Sequence, residues 1–160
     1  MSQPQLEFIN LITQVMERLG ISIFDTQATA YRFGFADEPA IFLYYRGEGW
    51  VELVTCADKF SDNLHRTAPL ALLELQGQQP SLAFCLALDK ERGMLKAFHR
   101  FRFAHCNAFE VIDSIQAMRA FASQARAIIG QRSPASTVSG ESNSNQRFKL
   151  STSIMKLQNR

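Results

Sequence analysis

The sequence predicts an α+β fold: a twisted antiparallel sheet packed by helices, in the order α-β-β-β-α-β-β-α, with a disordered C-terminal tail. Three observations point there. Apolar residues recur with the 3.6 period of a helix near both ends of residues 1–130, and with the period of 2 of strands in between. The period-2 runs are separated by short turn signals of the hairpin kind. Beyond residue 130 the periodicity stops, and Ser, Asn and Gln dominate.

The first helix is expected from about Gln5 to Leu19. Phe8, Ile9, Leu11, Ile12, Val15, Met16 and Leu19 share an arc of roughly 160°, wider than the ~100° stripe that docks on a single core. Gly20 ends it as a residue free to take positive φ. "TAYRFGFA" (29–36), "AIFLYYR" (40–46) and "GWVELVTC" (49–56) then read as a three-stranded meander, rich in the aromatic and β-branched residues that suit a pleated, half-buried surface. "DEP" and "GEG" are its turns. Tyr31, Phe33 and Phe35 share one face of the first strand; Arg32 and Gly34 take the other.

"PLALLELQG" is a short helix with Pro69 near its start and Gly77 at its end. "SLAFCLALD" (81–89) and "MLKAFHRFRF" (94–103) are two further strands joined by "KERG". The fourth is apolar on both faces, Leu82, Phe84, Leu86 and Leu88 against Ala83, Cys85 and Ala87. Such a strand requires cover on both sides, from its own helices or from another subunit. On the fifth, Leu95, Ala97, His99, Phe101 and Phe103 form the more apolar face, which should meet the helices. Met94, Lys96, Phe98, Arg100 and Arg102 form a mixed face fit for water or an extended peptide. The last helix runs from about Ala108 to Ile129, opened by an Asn107/Glu110 capping box, with Val111, Ile115, Met118, Ala122, Ala125 and Ile129 as its buried stripe.

At 160 residues there is room for one cored domain, residues 1–130, followed by a Ser-rich basic tail, 131–160. The charge divides at the same place. Residues 1–130 hold 12 Lys and Arg against 14 Asp and Glu, a net of −2; residues 131–160 hold five against one, a net of +4. A basic body that would advertise phosphate binding is absent. No apolar run approaches the roughly 18 residues of a membrane span, so stable membrane insertion is not expected. The N-terminus lacks the order of a secretory signal, and three scattered Cys without CxxC spacing fit a reducing cytoplasm.

Local chemistry is sparse. "YRFGFA" and "KAFHRFRFAH" echo the aromatic RNA-recognition signature but miss its register, and the element order is wrong for that domain. A small nucleic-acid-binding α+β module is therefore the alternative reading, and no nucleic-acid partner is expected. His99, His105 and Cys106 match no zinc spacing, so no metal or other cofactor is expected. No nucleophile elbow, phosphate loop or metalloprotease motif occurs, and nothing brings Asp89 and His99 together as an acid/base pair. The chain reads as a non-enzyme.

Four segments carry a resemblance: the first helix ending in "ERLGIS"; "GWVELVT" followed by the Leu-rich "LALLEL"; the hairpin "LALDKERGMLKAF" (Leu86, Leu88, Asp89, Gly93, Leu95); and the closing helix with Phe121 and Ala125. In their order and spacing, over about residues 5–130, these resemble the class I type III secretion chaperones, the Tir chaperone-like family. The chain departs from that family in its mildly acidic body, in lacking the Trp often found near the end of the last helix, and in its long basic tail. The resemblance implies a homodimer in the bacterial cytoplasm with Leu72, Leu73, Leu75, Phe84 and Leu86 at its interface. It implies binding of the N-terminal region of secreted effector proteins, and delivery to the export apparatus or its ATPase, without cofactors or bond chemistry. Leu6, Ile9, Phe33, Phe35 and Phe42 are the residues expected to contact the effector.

Overall fold

A computed structural model describes residues 2–22, 24–25, 28–59, 67–78 and 83–130. The elements are α1 (Gln3–Arg18), β1 (Ala30–Phe35), β2 (Glu38–Gly47), β3 (Trp50–Lys59), α2 (Ala68–Gly77), β4 (Cys85–Asp89), β5 (Met94–Arg102) and α3 (Ala108–Gly130), with one 3₁₀ turn at Phe103–His105. Order and type agree with the sequence expectation. The 131–160 tail and Leu82, expected at the start of the fourth strand, lie outside the described residues. That strand begins only at Cys85, because Ala83 takes a positive φ of 43° and Phe84 turns into the core.

All neighbouring strands are antiparallel, in the order β1-β2-β3-β5-β4. The tight β2–β3 turn uses Gly47 and Gly49, both at φ +81°, around Glu48 at φ +50°. A Cβ at either glycine would be strained there, which explains the "GEG" spelling.

Strand alternation sends Tyr31, Phe33, Ile41, Leu43, Val51, Leu53, Leu95 and Ala97 to one face, where all are buried. Helix α3 crosses this face over β3 and β5, with α1 and α2 packed against it. Ala57 points inward by the same alternation, although the register to β5 shifts between Cys56 and Asp58, and the Ala57 carbonyl accepts a 3.0 Å hydrogen bond from Arg126 Nε. Buried Thr55 is satisfied by donating to the Ala40 carbonyl at 3.0 Å.

The α3 stripe is as expected, with Phe121 added, although Ile129 is only half-buried. Its N-terminus is a capping box. Asn107 Oδ1 accepts from the backbone N–H of Phe109 (2.9 Å) and Glu110 (3.1 Å), while Glu110 Oε2 accepts from the Asn107 N–H at 2.8 Å. Arg119, further along α3, clamps the start of β2 through two bonds to Glu38, 2.8 and 3.0 Å long. These contacts hold the helical layer on one face of the sheet and, among the described residues, leave the other face free of helices.

Candidate functional site

The residues expected at the effector surface divide between the two layers. Leu6 is exposed (52%) and Ile9 half-buried on α1. Phe33 is buried in the core, and Phe35 is half-buried with the Arg119 guanidinium 4.1 Å from its ring centroid. Phe42 lies on the helix-free face, its ring stacked near Tyr44 at 6.1 Å. Strand parity separates Phe42 from Phe33 and Phe35, because it points opposite to its buried neighbours Ile41 and Leu43.

The residues expected at the dimer interface divide by depth. Leu72, Leu75 and Phe84 are buried within the chain itself, Phe84 against Phe121 (5.1 Å between centroids) and His99 (5.2 Å). Leu73 is exposed (66%), and Leu86 is half-buried. The structure adds Leu70, exposed to 61% and one turn before Leu73, and the exposed Leu88 on edge strand β4. The signal for Leu70 and Leu88 was present in the sequence: a helix and a strand apolar on every side cannot bury all of their surface in a small core.

The helix-free face has its own organisation. Phe42, Val54, Phe98 and Cys85 are successive cross-strand partners, giving a half-buried row of low polarity across β2, β3, β5 and β4. Further along the same face of β3, past Glu52, stands Trp50, with Arg100 and Arg102 guanidinium carbons at 4.8 and 4.9 Å from its ring centroid. Arg46 is ion-paired with Glu52, and Lys96 with Asp89 at 2.6 Å.

Titratable groups are arranged for structure. Asp89 caps the Arg92 N–H at 3.2 Å and is held below the usual carboxylate range chiefly by its hydrogen bond to Lys96. His99 sits between Phe84 and Phe101; burial pushes its pKa down, a hydrogen bond to the Ala83 carbonyl partly opposes this, and Nδ1 is buried without a partner. Burial raises the Cys56 and Cys106 thiols, making them poorer nucleophiles. Among the described residues no cluster of His, Cys, Asp or Glu could hold a metal ion, and no helix is long and apolar enough to cross a membrane.

No protein-family model and no curated protein matches the chain. Solved structures do. A chain of the heterodimeric ExoU–SpcU complex from the type III secretion system of Pseudomonas aeruginosa superposes with a TM-score of 0.60 at 20% identity, over 72% of this chain and 95% of that one. A chain of the HopA1–SchA chaperone–effector complex gives 0.64 at 14% identity, over 79% and 98%. A chain of the complex between the Yersinia pestis type III secretion chaperone SycH and a stable fragment of YscM2 gives 0.59 at 13% identity, over 72% and 96%. The fold is that of the type III secretion chaperones. Within this chaperone fold, nearly the whole neighbouring chain is matched each time, so the likeness covers sheet and helical layer together. It agrees with the resemblance carried by the hairpin and helix patterns of the sequence.

Proposed function

We propose that the chain is a non-enzymatic secretion chaperone that binds the N-terminal region of effector proteins and keeps it export-competent. The observation that carries this reading is the fold itself, matched over almost the full length of chains solved in complexes from type III secretion systems or with their effectors. The exposed apolar positions support it, because a holder of unfolded segments needs apolar contacts at its surface rather than a reaction centre. Leu6, Ile9, Phe35 and Phe42 are the accessible members of the proposed effector surface, with Phe33 supporting them from the core.

The working unit in this reading is a homodimer in the bacterial cytoplasm, which hands cargo to the export apparatus or its ATPase. Leu70, Leu73, Leu86 and Leu88 form the proposed contact between protomers, and Leu72, Leu75 and Phe84 shape it from beneath.

The test is affinity capture of the full chain from its native cytoplasm, with mass spectrometry and limited proteolysis of what co-purifies. Recovery of one or a few secreted proteins, protected over an N-terminal stretch, is the expected result. Recovery of RNA, or of no secreted protein, overturns the reading.

A further inference from the structure

We infer that the helix-free face of the sheet docks an extended polypeptide segment carrying an apolar side chain followed, two and four residues on, by acidic ones. The inference rests on the chaperone reading for the identity of that segment as cargo, and on the face itself for its chemistry.

The apolar part is the row Phe42–Val54–Phe98–Cys85, continuous across four strands and half-buried in the single chain. The cationic part follows along β5. Arg100 and Arg102 stand two and four residues beyond Phe98 on the same face, about 6.6 and 13 Å along the strand. An extended segment laid over β5 has the same period, so its sheet-facing side chains meet Phe98, Arg100 and Arg102 in turn.

Charge selects the acidic residues. Of the cations that β2 and β5 place on this face, Arg46 and Lys96 already hold Glu52 and Asp89. Arg100 is the cross-strand partner of Glu52, but that carboxylate is engaged by Arg46. Among the described residues Arg100 and Arg102 therefore meet only the Trp50 ring, two like charges gathered at one indole. An arriving carboxylate offsets their repulsion as well as pairing with them.

The same facts disfavour other occupants. A second copy joined face to face by a two-fold axis would set this cationic patch against a face carrying the same uncompensated cations. A nucleic-acid strand needs a run of open cations, whereas this face carries Glu52 and belongs to a body of net charge −2.

Trp50 is the only tryptophan in the chain and reports directly on the site. The probe is the peptide Glu-Ser-Glu-Ser-Leu-Ser-Leu-Ser-Glu-Ser-Glu, palindromic so that either direction fits, titrated at low salt against the full chain while Trp50 emission is followed. A saturable change is expected, weakened roughly threefold to thirtyfold in the Arg100→Gln/Arg102→Gln double variant, whose fold is checked by circular dichroism. Added salt should weaken it comparably. No response to the peptide overturns the inference, as does an equal response to its Lys-for-Glu counterpart. A response to oligothymidylate alone assigns the face to nucleic acid, and an emission change on dilution alone assigns it to a second copy; either overturns the inference. Captured cargo held equally well by the double variant sinks this inference and leaves the chaperone reading standing. Saturable peptide binding with no secreted cargo recovered does the reverse.

Discussion

Replacing Leu73 by Asp separates folding from association, because the two leucines on either side of the question differ in depth. Leu73 is 66% exposed, whereas Leu72 and Leu75 are 7% and 5% exposed. Full burial of a leucine side chain is worth about 1.5–3 kcal/mol, so covering the exposed two thirds of Leu73 contributes about 1–2 kcal/mol. In a two-fold dimer the residue occurs twice, which gives about 2–4 kcal/mol. At about 1.4 kcal/mol per decade, the variant should dimerise roughly thirtyfold to a thousandfold more weakly. Its monomer should keep wild-type circular dichroism and cooperative unfolding, because the position faces water in the single chain. Leu75→Asp should instead unfold, since it places a carboxylate in the core. Sedimentation equilibrium over a dilution series reads the first effect, and thermal melting reads the second. A Leu73→Asp protein with an unchanged dimer constant refutes the assignment of the exposed α2 face to the interface. A stably folded Leu75→Asp monomer refutes the burial argument.

Two other predictions concern the scaffold. Asn107→Ala removes the acceptor for two backbone N–H groups at the start of α3 and should lower unfolding free energy by about 1 kcal/mol in a urea titration. An unchanged midpoint would show that water replaces the cap. For His99, burial holds the folded-state pKa below the ordinary value, so between the two pKa values the unfolded chain binds the extra proton. Stability should therefore be intact above about pH 6.5 and fall as pH drops below it. His99→Phe, which also removes the unpartnered Nδ1, should lack that part of the fall. Parallel pH profiles for the two proteins show that His99 is not the titrating group.

Much of the fold was legible because each element is spelled locally. Asn107 and Glu110 announce the α3 cap through a three-residue spacing, and the hydrogen bonds follow it. The inward parity of β5 was equally plain, since Leu95, Ala97 and His99 alternate with Lys96, Phe98 and Arg100. The start of β4 was not legible: "SLAFCLALD" is strand-like throughout, and only the positive φ at Ala83 shows where Phe84 leaves the ladder.

The surfaces were harder. "LALLEL" offers leucine at four positions, and composition cannot say which meet α3 and which meet solvent. Leu72 and Leu75 went inward while Leu70 and Leu73 stayed out, because α2 packs on α3 along one side only. Phe33, Phe35 and Phe42 looked alike as exposed-aromatic candidates until the helical layer covered one face of the sheet. The union of Trp50 with Arg100 and Arg102 needed the β3–β5 pairing, which closes a sequence separation of about fifty residues. The sequence by itself determined the order of the elements, the inward faces of α3 and β5, the α3 cap and the turns, and the charge of the body, since these depend on neighbours a few residues apart. Only the tertiary structure decided which apolar side chains remain at the surface and which cations, among the described residues, lack a carboxylate, because those depend on what packs or pairs from across the sheet.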